Sequence, residues 1–290
     1  ADRTEAFFTD CHGRDHVTDA KLALDADGNI TGLRTKTYAS LGAYLSNFST
    51  CIPTYLHGTL MQGLYTTPAV HVDVTAVVTN TVPVDAVRGA GRPEATYGIE
   101  RLIETAAREI GMDPAEFRLK NFIPPFDGVK QPGYQTQVAL QYDSGNYEGA
   151  LKKALKNANY EKLKKERAAA RSDGKLMGIG FSTYIEACGI APSAVVGSLG
   201  CRVGLYDAAS IRVHPTGKVT IHAGAHSHGQ GHETTFAQIV ADSFGIGMDD
   251  VNVIHGDTEN VPFGMGTYGS RSIAVCGSAI MKSVDKVKEK

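Results

Sequence analysis

The chain has 290 residues, 42% of them hydrophobic, and a formal net charge of -2. This length suits one large or two ordinary domains, and we expect two. The near-neutral charge gives no electrostatic footprint for nucleic acid or an anionic membrane, so a small-molecule partner is favoured. No apolar run approaches the roughly 20 residues of a membrane-spanning helix. Five scattered cysteines without a C-x-x-C pair favour reduced thiols in a cytoplasmic protein.

Strands are predicted to dominate the first part of the chain. Residues 5–41 alternate around an Asp27-Gly28-Asn29 turn, which indicates a hairpin, and 71–79 is β-branched enough for a further strand. An amphipathic helix is expected from 93 to 111 because its apolar residues recur on one face. A shorter helix should follow over 113–122, with Asp113 as its N-cap.

The middle of the chain is predicted to separate two domains. The segment 124–145 is rich in proline and glycine and lacks periodicity, so it should contain the boundary. One lysine-studded surface helix is expected over 146–171. The predicted division is a first domain at 1–130, a connecting segment with the surface helix at 131–175, and a second domain at 176–290.

The second domain is predicted to alternate strands and helices. Its expected strands are 176–187, 201–206, 208–213, 218–222 and 251–255. Helices should begin near His232 and near Ser270. Because hairpins occur beside strand-helix-strand segments, the fold class is α+β with mixed sheets.

Three glycine turns precede predicted helices, at 88–92, 229–234 and 264–271. The start of a helix presents free N–H groups and the positive end of the helix dipole, which together attract anions. Singly, each turn is more often a structural cap. Together they suggest a phosphate-bearing ligand held by backbone N–H groups from several helix starts.

Histidines offer a competing interpretation. His222, His226 and His228 share a parity along the chain, and with His232 they could bind zinc. However, 224–231 is too rich in glycine for a regular strand, and no thiol or carboxylate stands at ligand spacing. No metal site is therefore assigned to protein side chains. Hydrolase motifs are absent, and Cys188 is interpreted as an inert thiol.

Six segments resemble the large subunit of the molybdenum hydroxylases, the xanthine dehydrogenase and aldehyde oxidase family, and especially its carbon monoxide dehydrogenase branch. The segments extend over nearly the whole chain, so their shared order is more specific than any single turn. They are AVRGAGRPEA at 86–95, LKNFI at 119–123, YDSGNY at 142–147, IRVHPTG at 211–217, GQGHETT at 229–235 and GTYGSRS at 266–272.

The resemblance implies two partial molybdopterin-binding domains and a set of cofactor-binding residues. The cofactor would be molybdenum with molybdopterin cytosine dinucleotide, since bacterial members usually carry that form. The residues that would bind it are Gly229, Gln230, Gly231, His232, Glu233, Thr234, Tyr268, Gly269, Ser270, Arg271 and Ser272. A diphosphate at helix starts agrees with the interpretation of the glycine turns.

By the same resemblance, Arg88, Gly89 and Ala90 form a loop on the substrate side of the molybdenum. Carbon monoxide dehydrogenases proper carry a copper-binding cysteine where this chain has Gly89, so no molybdenum–copper cluster is expected. Purine-oxidising members tend to carry an aromatic residue where Ala90 stands. The substrate is therefore left open.

The implied reaction is oxidative hydroxylation of a small organic substrate of the aldehyde or N-heterocycle type, with water as the oxygen source. Electrons would leave through an FAD-binding medium subunit and a small subunit with [2Fe-2S] clusters, in a dimer of heterotrimers. The general-base glutamate and part of the pocket are expected elsewhere in a longer large subunit, so this chain alone should be inactive. The alternatives are carbon monoxide oxidation, a non-catalytic nucleotide-binding module and a zinc protein.

Overall fold

The computed structural model describes residues 2–128, 132–189, 193–198, 200, 202–261 and 263–290. Its contacts divide the chain into two compact units, Ala1–Ile185 and Glu186–Lys290. Both units combine helices with mixed sheets, so the predicted α+β class is confirmed. Within the described ranges no helix is long and apolar enough to cross a membrane.

The first unit opens with a short helix and a three-stranded sheet: α1 (Arg3–Thr9), β1 (His16–Leu24), β2 (Ile30–Ser40) and β3 (Val70–Val77). β1 and β2 pair antiparallel around Gly28, and β2 and β3 pair parallel, which confirms the predicted hairpin and mixed sheet. The expected strand at the very beginning is wrong. Asp2 and Glu5 form a reciprocal capping box that starts α1 instead.

The remaining elements of the first unit are mostly helical. They are a π-helical turn (Ile52–Leu56), α2 (Arg92–Glu109), α3 (Pro114–Asn121), the short strands β4 (Phe126–Asp127), β5 (Tyr134–Gln135), β6 (Gln141–Tyr142) and β7 (Ser144–Gly145), and then α4 (Tyr147–Ala158) and α5 (Tyr160–Ser172). The side chain of Asp113 accepts from Ala115 N at 2.8 Å, so the predicted N-cap of α3 is confirmed.

The single helix predicted over 146–171 is wrong because Asn159 adopts a left-handed conformation, with φ of 50°, between α4 and α5. Asparagine is among the few residues other than glycine that tolerate this conformation.

The core of the first unit lies between the sheet and the helices. Ile99 and Ile103 on α2 are 3% and 0% exposed and pack with Leu33 of β2 and Phe117 of α3. The predicted apolar face of α2 is therefore confirmed. Asn121 adds a polar tie, because its amide accepts from Ile30 N at 2.8 Å and donates to Gly28 O at 3.1 Å.

A buried ionic network anchors the end of the first unit. Arg118, which is 0% exposed, contacts Glu100 at 3.0 Å and Glu104 at 3.1 Å. Glu100 also accepts from the backbone N–H of Thr183 at 2.9 Å and from its hydroxyl at 2.8 Å. The segment 176–185 consequently packs on the first unit. The strand predicted over 176–187 is wrong, since these residues are irregular and Thr183 bonds to Glu100 of α2 instead of to a neighbouring strand.

The second unit contains α6 (Ser193–Ser198), β8 (Ala209–Val213), β9 (Val219–Ala223), α7 (His232–Phe244), a 3-10 turn (Met248–Asp250), β10 (Val251–His255), a π-helical turn (Ser272–Gly277) and α8 (Ser278–Lys288). The predicted strands at 208–213, 218–222 and 251–255 and both predicted helices are present. The strand predicted over 201–206 is wrong where described, because 202–206 is irregular; Cys201 lies outside the described residues.

The core of the second unit is centred on β9. Val219 and Ile221, at 2% and 0% exposed, pack against Phe236 and Val240 of α7 and against Ile280 of α8. Buried and half-exposed residues alternate along β9, as expected for a strand that packs against helices with one face only.

Two imidazoles lie against each other, tilted by 47°, near the start of α2 in the first unit. His16 and His57 have ring centroids 4.5 Å apart, and His57 is 1% exposed, with its Nε2 3.2 Å from the Thr37 hydroxyl. Burial first, and the neighbouring His16 second, lower the pKa of His57 from 6.5 to about 4. The folded protein therefore holds His57 neutral at pH 7.

Arg118→Met is expected to lower the free energy of unfolding by about 3–5 kcal/mol, because two buried glutamates lose their shared cation. Arg108→Ala is the matched control, since Arg108 contacts the same Glu104 at 2.9 Å from a side chain that is 65% exposed. Its cost should stay below about 1 kcal/mol. Urea denaturation measures both, and equal losses would contradict a buried role for Arg118.

Acid should destabilise the protein through His57. Because its pKa is lower in the folded state, the stabilisation is fully present above pH 6.5 and is lost as the pH falls toward about 4. Between pH 7.5 and 4.5 we expect His57→Gln to lose about 2–3 kcal/mol less unfolding free energy than the parent protein. His71→Gln, at an exposed position of β3, should behave like the parent. Parallel losses in all three proteins would show that His57 does not titrate in this way.

Candidate functional site

The site is built around the β9-α7-β10 segment of the second unit. β9 and β10 pair in parallel from Val251–Val219 to His255–Ala223, so the crossover through α7 brings both carboxyl ends to one edge of the sheet. Ligands of such segments bind beyond the carboxyl ends of the strands, where the helix begins. The predicted glycine turn at 229–231 lies at this edge, directly before α7.

Gly231 is the N-cap of α7 and has φ of 77° in the left-handed region. It provides no side chain to cap the helix, so the first turn must find other acceptors for its N–H groups. A Cβ at Gly231 would meet no atom within 4 Å, and the same holds for Gly229 and Gly266. The backbone of these turns thus borders open space.

A second pair of glycines is pressed together. A Cβ built on Gly264 would lie 2.2 Å from the carbonyl oxygen of Gly224, and one on Gly224 would lie 2.4 Å from that of Phe263. Only bare backbone fits at this crossing. The loop after β10 therefore lies directly over the end of β9.

Arg271 holds that loop from inside. Its side chain is fully buried, with Nη1 3.3 Å from the Asp207 carboxylate and 3.2 Å from the Gly266 carbonyl. Nη2 donates to the carbonyls of Leu205 and Tyr206, each at 3.1 Å. The guanidinium thus bonds to protein groups and shapes the turn from within.

The turn before the π-helical segment is fixed by further bonds. Ser270, with φ of 52°, donates from its hydroxyl to Glu186 at 3.1 Å, and its carbonyl accepts from Gly189 N at 2.8 Å. Ser272 is buried, with its hydroxyl 3.1 Å from that of Thr267. Tyr268 lies beside Arg271, whose guanidinium carbon is 5.2 Å from the ring centroid.

Both predicted helix starts meet near the end of β9. Ala225, which follows β9 directly, packs in one buried cluster with Phe236 of α7 and Cys276 of the π-helical turn. The structure therefore brings the 229–234 and 268–272 segments to one edge of the sheet. That they share a cavity for a diphosphate stays a prediction. Burial raises the pKa of the Cys276 thiol to about 11, so it stays protonated.

The other predicted residues surround the glycine turn. Gln230 is half-buried, and its side-chain carbonyl accepts from His228 N. Glu233 and Thr234 are exposed in the first turn of α7. The Glu233 carboxylate lies 2.8 Å from Nε2 of His255, and its own backbone N–H, followed by His255, lowers the pKa of this carboxyl. An acidic side chain thus already serves as an acceptor at the helix start.

The sequence interpretation missed three residues at this edge: Asp207, Gly224 and His255. Asp207 lies between two predicted strands. Its ion pair with Arg271 joins residues that are 64 positions apart in the sequence. His255 ends a correctly predicted strand, so its place beside the glycine turn follows from the parallel pairing. In the described residues no group of three or more His, Cys, Asp or Glu side chains could hold a metal ion.

The 88–92 loop belongs to the first unit. Gly89, Ala90 and Gly91 all have positive φ, at 103°, 48° and 85°. A Cβ at Gly89 would lie 2.4 Å from Cγ of Pro93, so any side chain there would be both strained and obstructed. The carbonyl of Arg88 accepts a hydrogen bond from the Arg14 guanidinium, which fixes the beginning of the loop.

An anionic cofactor that bears phosphate groups fits the second-unit edge on two observations. His232 is 7% exposed, and its Nδ1 has no hydrogen-bond partner among the described residues. The open sides of Gly229, Gly231 and Gly266 leave backbone accessible to a phosphate. Donors of this kind suit an anionic group that bears several acceptor oxygens.

Both units of the chain match a known protein family. Residues 1–122 and 153–290 each match the molybdopterin cofactor-binding domain. The chain is 42% identical to the carbon monoxide dehydrogenase large chain of Hydrogenophaga pseudoflava, over 100% of this chain and 36% of that protein. It is 33% identical to the 6-hydroxypseudooxynicotine dehydrogenase complex subunit gamma of Paenarthrobacter nicotinovorans, over 100% of this chain and 35% of that protein.

Solved structures share the fold of this chain. Quinoline 2-oxidoreductase from Pseudomonas putida 86 superposes with a TM-score of 0.89 at 32% identity, covering 100% of this chain and 36% of that one. Carbon monoxide dehydrogenase from Oligotropha carboxidovorans superposes with a TM-score of 0.81 at 37% identity, covering 96% and 35%. The chain thus spans about a third of the length of these relatives. The chain belongs to the xanthine dehydrogenase family and contains molybdopterin-binding domains of that family.

Proposed function

We propose that this chain is the cofactor-binding region of a molybdenum hydroxylase large subunit that oxidises a small organic substrate of the aldehyde or N-heterocycle type. The observation that carries this proposal is the packing of α7 and the π-helical turn together at the end of β9, beside the unpartnered, buried Nδ1 of His232. The bound cofactor supplies two-electron redox chemistry, and water supplies the oxygen.

The second-unit edge would bind the cofactor as its cytosine dinucleotide. Backbone N–H groups at 229–231 and 268–272 would hold the diphosphate, since they are fixed in place before the ligand arrives. The side chains of Gln230, His232, Glu233 and Thr234 would contact the cofactor. Arg271 would act through the shape of the turn, because its guanidinium is fully buried.

The Arg88-Gly89-Ala90 loop would lie on the substrate side of the metal. Carbon monoxide oxidation is the second candidate, favoured by the 42% identity to a carbon monoxide dehydrogenase large chain. The loop conformation argues against a copper-binding cysteine at 89, because a Cβ there would lie 2.4 Å from Pro93. An organic substrate is therefore the better proposal.

In the working enzyme we propose three kinds of partner: the remainder of the large subunit, a medium subunit with FAD and a small subunit with [2Fe-2S] clusters. Two such heterotrimers would form a dimer in the cytoplasm. A non-catalytic nucleotide-binding module is the remaining alternative. It predicts the same anion-binding edge without molybdenum.

The protein purified with its natural partners is expected to contain molybdenum and to release CMP on acid treatment, about one of each per chain, without stoichiometric copper. Metal analysis and chromatography of the released nucleotide measure this. Absence of both molybdenum and CMP would support the non-catalytic module. Stoichiometric copper would favour carbon monoxide oxidation, the second candidate function.

Gly231→Ala is expected to reduce the cofactor content severalfold, because its methyl group would project into the open space at the start of α7. Gly217→Ala is a matched control. Both glycines are left-handed, with φ of 77° and 84°, and both have nothing within 4 Å of an added Cβ. Each substitution should therefore cost about 1–2 kcal/mol of backbone strain. Equal molybdenum content in the two variants would argue against a cofactor role for the 229–231 turn.

A further inference from the structure

Three side chains form a hydrogen-bonded line beside the glycine turn. Nε2 of His255, at the end of β10, lies 2.8 Å from the carboxylate of Glu233 in the first turn of α7. Nδ1 of the same His255 lies 3.2 Å from Nδ1 of His226, in the loop after β9. The line therefore joins all three elements that meet at this edge of the sheet.

The chemistry of the three groups fixes where the protons lie. Bonds from its own backbone N–H and from His255 lower the pKa of the Glu233 carboxyl, so it is ionised and only accepts. His255 must then donate from Nε2 and, when neutral, accept at Nδ1. Beside a neutral His255, His226 donates from Nδ1. Its Nε2 consequently accepts when the ring is neutral and donates when the ring is protonated.

Packing holds His226 next to the predicted cofactor turn. A Cβ at Gly256 would lie 2.6 Å from Nδ1 of His226, so the ring rests against bare backbone. Its centroid is 5.2 Å from that of His228, whose N–H donates to the side chain of Gln230. His226 is exposed, and His255 retains 13% of its side-chain exposure. The outer end of the line is thus open to a ligand.

Three other imidazoles and one carboxylate surround His226. On its own loop is His228, on β10 is His255, and on α7 are Glu233 and His232. Imidazoles and one ionised carboxylate therefore lie around His226. An anion bound at the turn would add a negative charge beside them.

We propose that Glu233, His255 and His226 form a relay that presents Nε2 of His226 to a phosphate group of the cofactor, with uptake of one proton from solvent by that nitrogen on binding. The inference rests on the proposed function and assigns two further residues, His226 and His255, to the same site. His226 is a binding residue. His255 is a positioning residue that acts through it.

The test uses protein purified from a host that cannot make molybdopterin, with CDP-choline as the probe. This compound carries a cytidine diphosphate diester, so its phosphates do not titrate near neutral pH. Isothermal titration calorimetry should give a Kd that rises by up to about tenfold per pH unit above the imidazole pKa, as one-proton uptake requires. Buffers of different ionisation enthalpy should report uptake of about one proton.

His226→Gln should make the Kd independent of pH, and Glu233→Gln should move the pH dependence to lower pH. His214→Gln is the control, because His214 lies in the β8–β9 turn, where its Nε2 is 2.8 Å from the Thr220 hydroxyl. It should keep the parental pH dependence. Loss of that dependence in His214→Gln as well would overturn the relay.

A pH-independent Kd for the parent protein would overturn the relay and leave the proposed function intact. No binding of CDP-choline at any pH would also overturn it, and the proposed function would then fail only if acid treatment of the natural enzyme released no CMP. Nitrogen chemical shifts of the parent protein give a test that needs no variant. They should show a proton on Nδ1 of neutral His226, and the opposite tautomer would overturn the relay.

Discussion

The buried pair of Arg271 and Asp207 is the constraint on which the candidate site depends. Both side chains are fully excluded from solvent, so neither charge could persist without the other. Burial raises the pKa of Asp207, while its bonds to Ala208 N and to Arg271 oppose that rise. The guanidinium also satisfies three backbone carbonyls, and one pair thereby connects the segment before β8 to the turn after β10. Arg271 therefore holds these two segments together from inside the protein.

The glycines of the second unit serve two different purposes. Gly224 and Gly264 permit two backbones to cross where a single methyl group would collide. Gly229 and Gly231 adopt left-handed conformations with free space beside them, which leaves the start of α7 accessible. Close packing in one pair and openness in the other together produce a rigid edge with an exposed backbone. A site built from main-chain groups requires both.

Much of this arrangement could be predicted from the sequence, because periodicity reports local structure. The strand at 251–255 and the helix from His232 were recognised by alternation and by the glycine before the helix. Residues that act over long sequence separations gave no such signal. The 176–185 segment alternates like a strand, yet Thr183 bonds to Glu100 on α2. Asn121, within the LKNFI motif, likewise ties α3 to the first hairpin.

The attachment of Thr183 to Glu100 has a practical consequence for dividing the chain. The first unit, expressed by itself, would need to extend through Ile185. Ending it at 175 would remove two hydrogen-bond donors from a carboxylate that is 5% exposed, and would uncover the side of Arg118 on which Phe181 lies, 5.2 Å from the guanidinium carbon. Such a truncated polypeptide would expose a charged, water-accessible gap in its own interior, and aggregation during refolding would follow.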